Sequence, residues 1–324
     1  MSGILLSDDL FSKVLLNPAK DGASDLYIIS GYASSSMVFN HAEKLKKQNT
    51  NININLIIGM TCRDGLSKTN HRGFQNLVNN DLSDIFNCSY IMNHPPVHSK
   101  AYIWAKEEKP FIAFVGSANY SQQAFLGNLQ REVATKCDPA TTYDYYKSLI
   151  DESIYCNHQD AEEVITLYND NRAVNSKKKS IGEETNQYDA TKDLEHVLIS
   201  LINKSGKISQ RSGLNWGQRK NREPNQAYIP LKVDVYSSGF FPPKAQHFTI
   251  YTDDEKILIC TRAQENGKAI HTPHNNSLLG EYFRFRLGVA NGNLVTMHDL
   301  MNYGRTDIDF YKIDEENYYM DFSV

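Results

Sequence analysis

The chain has 324 residues and a formal net charge of −4; that is about twice a typical domain length, so two domains are expected. Hydrophobic residues at 40% and charged residues at 22% are globular values, and they argue against a disordered, collagen-like or coiled-coil chain. Apolar runs such as Phe111 to Val115 fall far short of the ~18 residues of a membrane span, and Met1 to Lys13 has no basic segment followed by an apolar one, so neither a membrane helix nor a secretory signal is indicated.

In chain order, Leu26 to Ser30, Ile52 to Gly59, Ala101 to Trp104 and Phe111 to Val115 read as strands, while Ser36 to Gln48 and Thr141 to Ile154 have helical periodicity. Strands alternating with helices predict an α/β domain over 1–170 whose strand ends carry the site. Asn171 to Asp193 holds very few apolar residues and a Lys177 to Lys179 charge run, which predicts a linker over 171–193. From 194 to 324 the pattern changes. Short strands are expected at Tyr228 to Tyr236, Gln246 to Tyr251, Lys256 to Thr261 and Glu281 to Val289, between turns rich in Pro, Gly and Asp, as in an all-β barrel. In the last of these, alternation would set Tyr282, Arg284 and Arg286 on one face and Phe283, Phe285 and Leu287 on the other. Five scattered cysteines, Cys62, Cys88, Cys137, Cys156 and Cys260, are odd in number and never spaced C-x-x-C. They read as free, mostly buried thiols in a reducing compartment such as the cytoplasm.

Charge is unevenly distributed. Lys204, Lys207, Arg211, Arg219, Lys220 and Arg222 fall in one stretch without an acid, interleaved with Gln210, Asn215, Trp216 and Gln218, whereas Leu287 to Val324 holds 2 Lys+Arg against 7 Asp+Glu. The basic stretch has the composition of a groove-reading DNA arm and equally of a solvated basic loop.

The densest chemistry lies in 35 residues: His98-Ser99-Lys100, Gly116-Ser117-Ala118-Asn119, then Glu132. H-x-K alone is a weak signal, but here it opens the strand AYIW after the turn Asn93-His94-Pro95-Pro96, so His98 and Lys100 share a face. The next strand ends at Gly116, where a turn would bring Ser117 and Asn119 to the same edge. These residue types suit phosphodiester chemistry without a metal. A histidine serves as nucleophile or proton donor, and a lysine and an asparagine offer protons to the phosphoryl oxygens. Glu132 is placed to orient the imidazole through its second nitrogen.

His98, Lys100, Gly116, Ser117 and Asn119 resemble the H-x-K and G-S-x-N motifs of the phospholipase D superfamily, in its single-motif nuclease branch. SGYASS (Ser30 to Ser35) and IIGMTCRDGLS (Ile57 to Ser67) look like other strand-end loops of that fold. SGLNWGQR (Ser212 to Arg219), REPNQAYIPL (Arg222 to Leu231) and GKAIHTPHNNSLLGEYFRFRLG (Gly267 to Gly288) look like recognition arms and barrel strands of a B3-type domain. Nearly the whole chain is therefore similar to the NgoFVII-type, BfiI-like restriction endonucleases. The resemblance implies an α/β phospholipase-D-like nuclease domain, a mixed β-sheet flanked by helices, followed at 194–324 by a B3-like pseudobarrel. One departure stands out: the acid usually found five positions after the motif lysine is Ala105 here, and the resemblance passes that role to Glu132.

The function implied is a type II-like, sequence-specific restriction endonuclease that hydrolyses DNA through a metal-independent covalent phosphohistidine. None of the other nine histidines is followed by lysine two positions on, and the family's site needs two H-x-K copies, so a homodimer with one composite site is implied. Double-stranded DNA is the expected substrate; the resemblance adds a helicase-like ATPase subunit, through which alone ATP and Mg²⁺ would enter, and a cognate DNA methyltransferase. Base or phosphate contacts are expected from Arg211, Asn215, Trp216, Arg219 and Arg222 in one arm and Lys268, His271, Asn275 and Asn276 in the other. Against its contact role, Trp216 also reads as packed under its loop, since an indole is more often core than contact, and Arg284 and Arg286 either contact phosphates or solvate a strand. Two other classes stay open: a catalytically silent DNA-binding protein, with His98 structural, and a lipid-directed phospholipase D, against which the basic second domain and the lack of an amphipathic membrane-binding stretch both count. His271-x-x-His274 has no second ligand pair and does not read as a metal site. Asp253-Asp254-Glu255-Lys256 reads as a charged turn.

Overall fold

The computed structural model describes residues 5–127, 130–168 and 194–324; the expected linker at 171–193 lies outside them. Two compact units emerge, Met1–Asp170 and Asn171–Val324.

In the first unit the strands are β1 (Leu5–Leu6), β2 (Asp25–Ser30), β3 (Asn53–Ile58), β4 (Leu66–Ser67), β5 (Phe86–Ile91), β6 (Ala101–Lys106), β7 (Lys109–Gly116), β8 (Ala134–Cys137), β9 (Ser153–Tyr155) and β10 (Leu167–Tyr168). Eight of them form one mixed sheet in the order β1-β8-β7-β6-β2-β3-β5-β9. β2, β3 and β5 are parallel, and β6, β7 and β8 run antiparallel beside them. The central strands are near-continuous apolar runs because both faces are covered. Along β6, Ala101 and Ile103 face a core with Ile29, Ile57, Ile91, Tyr146 and Leu149, beneath helix Pro139–Ser148. On the other face the Trp104 indole donates to Val14 O at 2.9 Å and packs against His41 of helix Ser35–Lys47. Ser34 caps that helix by accepting from Met37 N at 3.3 Å, and Lys44, Lys46 and Lys47 meet its C-terminal dipole. Each fully buried Leu, Ile or Val in these layers contributes roughly 1.5–3 kcal/mol. The helix expected to run to Ile154 stops at Ser148. Ile154, which sits at helical spacing from Ile150, instead pairs with Tyr90 across the edge strand β9.

Because β6 is antiparallel to β2, with Ile29 opposite Ala101, the start of β6 lies where β2 ends. Gly116, the last residue of β7, faces Ala134 at the start of β8. One edge of the sheet therefore collects the ends of β2, β3 and β7 and the starts of β6 and β8.

The second unit is a nearly closed sheet barrel of seven strands: β11 (His196–Ser200), β12 (Ile229–Pro230), β13 (His247–Thr252), β14 (Ile257–Ala263), β15 (Ala269–His271), β16 (Asp307–Lys312) and β17 (Asn317–Asp321), in the order β11-β16-β17-β13-β14-β15-β12. Its core gathers Phe240, Phe241, Phe248, Phe283, Phe310 and Tyr318 with aliphatic side chains from most strands. Two stretches expected as strands are not strands throughout. Tyr228 to Tyr236 gives only β12 before a short helix, Val233–Ser237. Glu281 to Val289 is helical, within Ser277–Leu287, and ends at Gly288 in the left-handed conformation. The alternation of aromatic and basic residues there coincides with a helical stripe, in which Leu279, Tyr282 and Phe283 are buried while Phe285 is 74% exposed. On a strand Phe283 and Phe285 would share a face.

Candidate active site and nucleic-acid interface

At the collecting edge of the first sheet stand His98 and Lys100, just before β6; Ser117 and Asn119, just after β7; and Glu132, just before β8. Two tight backbone approaches shape the edge. A Cβ on Gly59 would lie 2.0 Å from Val97 O, and one on Gly116 would lie 2.1 Å from Val133 O. No side chain fits at either position without moving a strand end.

His98 is exposed. A Cβ built on Gly31, directly after β2, would be 3.0 Å from Cδ2 of His98 and 3.4 Å from Oδ1 of Asn119, so the same glycine backs both side chains. Tyr32 N donates to Asn119 Oδ1 at 3.2 Å. This fixes which way the amide points, and among the described residues its NH₂ group makes no hydrogen bond. Lys100 is 6% exposed, and its ammonium donates to the carbonyl two residues back, His98 O, at 2.6 Å. Burial pulls its pKa down from the usual lysine value, and the Glu132 carboxylate opposes that shift. The Ser117 hydroxyl donates to Glu132 Oε2 and accepts from Val133 N at 3.0 Å. Glu132, expected to hold the His98 ring, thus takes the Ser117 hydroxyl instead; it stays close enough to Lys100 to act on its charge.

The sequence motifs did not reveal three neighbours of this edge. Tyr32 sets its ring edgewise to His98, centroids 6.0 Å apart at 78°. Its phenol donates to Asp64 Oδ2, and Asp64 in turn takes Arg63 Nε at 2.9 Å. The strings SGYASS and IIGMTCRDGLS mark these loops, but contact between residues 32 positions apart leaves no local signal.

In the second unit the expected arm residues divide. Arg211, Arg219 and Arg222 are exposed, as are Lys204, Lys207, Lys220, Lys268 and Asn275. Arg219 Nε donates to Arg211 O at 2.7 Å. Trp216 is half-buried, edge-on to Tyr228, and carries the Arg222 guanidinium 3.8 Å above its ring, so the indole serves the loop and an exposed cation together. Three expected contacts are corrected. Asn215 is fully buried, and its amide closes on Val295, accepting from N at 2.9 Å and donating to O at 2.7 Å. Arg284 is fully buried and donates to Asn293 O, Gly280 O, Leu214 O and Pro224 O. Arg286 forms a two-pronged pair with Asp253, at 2.8 and 2.7 Å, and donates to Phe322 O at 3.1 Å. Their donors are committed inside the domain, which also gives the turn at Asp253 its role. His271 is half-buried with Nδ1 2.6 Å from Asn276 Oδ1, and burial pulls its pKa down.

Among the described residues no group of three or more His, Cys, Asp or Glu is arranged to hold a metal ion, and no helix is long and apolar enough to cross a membrane. All five cysteines are free, with Cys88, Cys156 and Cys260 buried.

Comparison with known proteins follows the same division. A family model described as the NgoFVII restriction endonuclease N-terminal PLD domain matches residues 8–163. A second, the NgoFVII C-terminal B3-like DNA-binding domain, matches residues 189–314. No curated protein matches the chain. Solved structures similar to it include NucT from Helicobacter pylori, with 15% identity and a TM-score of 0.34, covering 48% of this chain and 98% of its own. They also include the phospholipase D family member Nuc from Salmonella typhimurium, with 11% identity and a TM-score of 0.35, covering 48% and 97% respectively. With both family models in chain order and spanning most of its length, the chain belongs to the NgoFVII restriction endonuclease family, an endodeoxyribonuclease of the phospholipase D superfamily that carries its own B3-like DNA-binding domain.

Proposed function

We propose that this protein cuts DNA at specific sequences through a covalent phosphohistidine, without a metal ion, at one site shared by two copies of the chain. The gathering of His98, Lys100 and Asn119 at one sheet edge, with one H-x-K per chain, supports this reading most directly. One His98 attacks the phosphorus as the P–O bond to the leaving nucleoside breaks, and the imidazolium of the second His98 protonates the departing oxygen. Water, deprotonated by that second histidine, then hydrolyses the P–N bond and frees the first. Positioned acid–base help of this kind contributes typically ~10²–10⁴-fold. Lys100 and the Asn119 NH₂ group hold the phosphoryl oxygens where charge develops, and Ser117 and Glu132 keep the Lys100 surroundings polar.

Sequence reading belongs to the second unit, with Arg211, Trp216, Arg219 and Arg222 on one arm and Lys268, His271, Asn275 and Asn276 on the other. A cytoplasmic restriction–modification setting, with a cognate methyltransferase and a helicase-like ATPase that brings ATP and Mg²⁺, completes the proposal. The test is cleavage of plasmid and genomic DNA in EDTA and in Mg²⁺, with sequenced ends, comparing wild type with His98→Ala and adding the ATPase and ATP in parallel. EDTA-resistant cuts at fixed positions that vanish in the variant are expected. Cutting that needs Mg²⁺ without ATP and survives His98→Ala would refute the reading.

A further inference from the structure

Among the described residues no hydrogen bond holds the ring of His98, although an exposed imidazole turns freely about two torsions. Something else must fix it if it is to meet a phosphorus in line. Tyr32 is built for this. Its backbone is locked on both sides: Ser30 Oγ donates to Tyr32 O at 2.6 Å, and Tyr32 N donates to Asn119 Oδ1 at 3.2 Å. Its ring stands edgewise to the His98 ring at 6.0 Å. Its phenol is tied to Asp64, which Arg63 braces from the other side at 2.9 Å. The loop after β2 and the loop after β3 are thereby joined across the site.

We propose that Tyr32, anchored by Asp64, is the positioning residue that sets the His98 imidazole for attack on the phosphodiester. The proposal rests on the reading of His98 as the nucleophile. Tyr32 transfers no proton and touches no substrate atom in this account. It narrows the rotation of the attacking ring, and its N–H aims the Asn119 amide at the same phosphate. One dipeptide, Gly31-Tyr32, thus aligns two catalytic groups. The phenol and the Arg63 guanidinium both hold the Asp64 carboxyl below the usual carboxylate range, which keeps the anchor ionised throughout the working pH range. Misplacing a reacting group by about 1 Å is enough to cost about a hundredfold in rate.

The test uses the full chain and bis(p-nitrophenyl) phosphate, a small diester that bypasses DNA recognition, with kcat and KM measured for wild type, Tyr32→Ala, Asp64→Ala, Asp64→Asn and His98→Ala. Tyr32→Ala is expected to lower kcat by about a hundredfold, with KM within about twofold and an unchanged melting temperature. Asp64→Ala is expected to lower kcat by about tenfold, and Asp64→Asn, whose amide oxygen still accepts from the phenol, to recover most of that loss. If Tyr32→Ala does not fold, the two Asp64 variants decide, and equal kcat values for them overturn the proposal. It is also overturned if Tyr32→Ala keeps wild-type kcat, or raises KM alone, while His98→Ala is inactive. Full activity in His98→Ala removes the nucleophile reading itself, and the positioning role with it.

Discussion

Two arginines in this chain have opposite environments. Arg284 has no exposed surface, and its guanidinium donates to four backbone carbonyls from 2.9 to 3.4 Å away. Removing it leaves those acceptors stranded where water does not reach, so Arg284→Ala is expected to cost about 3 kcal/mol in urea unfolding, with DNA affinity falling only as the folded fraction falls. Arg222 lies exposed on Trp216. Arg222→Ala should leave stability within about 0.5 kcal/mol, weaken DNA binding and reduce the dependence of log Kd on log salt by about one. The one-dimensional pattern does not separate the two, since each sits in a basic, aromatic-containing stretch. His41 gives a pH signature at the same scale. It is buried between Leu15 O at 2.7 Å and the Tyr120 hydroxyl at 2.8 Å, and burial pulls its pKa down to about 4. Below its ordinary value of 6.5 the unfolded chain takes up a proton that the folded chain refuses, so stability falls with pH between about 6.5 and 4. At pH 5 the loss is about 2 kcal/mol. Urea titrations of wild type and His41→Gln at pH 7 and pH 5 should show that drop in the first and a shallower one in the second.

Elements show where local pattern and tertiary packing part company. Helix Ser277–Leu287 lies so close to the loop at Asn225 that a Cβ on Gly280 would be 1.7 Å from Asn225 O. Gly280→Ala, which raises helix propensity, is therefore expected to destabilise the domain by about 2–3 kcal/mol, measured by denaturant unfolding. The same closeness explains why this helix was hard to read. Its sequence EYFRFR alternates like a strand, and what makes it helical is a fit against Asn225 and a left-handed Gly288, neither visible in a period. By contrast β2, β3, β6 and β7 were legible, because each carries a short apolar run bounded by turns. The site edge was legible for the same reason: H-x-K and G-S-x-N flank those strands, and the antiparallel pairing of β6 with both β2 and β7 brings them together. Tyr32, Asp64 and the Ser117–Glu132 bond were not legible, being side-chain contacts between loops whose approach only the sheet order determines.

For the whole molecule, the separation of chemistry from recognition sets the expectations. The proposed catalytic residues all lie in the first unit, and the exposed basic arms lie in the second, each built on its own sheet. If each composite site needs a His98 from two copies, then exchanging wild-type chains with an equal amount of His98→Ala chains leaves about one pairing in four intact. Cleavage by the mixture should fall to about a quarter of the rate that the same total of wild-type protein gives. A rate near one half would mean that each copy works alone. Glycines at the sheet edge carry a further consequence. Gly31 backs His98 and Asn119, the proposed nucleophile and phosphate-holding amide, and Gly59 and Gly116 each sit where a methyl group would collide with a carbonyl oxygen. In a saturation-mutagenesis screen scored for DNA cleavage, the chemically inert Gly59 and Gly116 should tolerate replacement as poorly as His98. A tolerance map of this enzyme would therefore trace the outline of a sheet edge before it traced a reaction, and counting sensitive positions would overstate how many residues handle the phosphate.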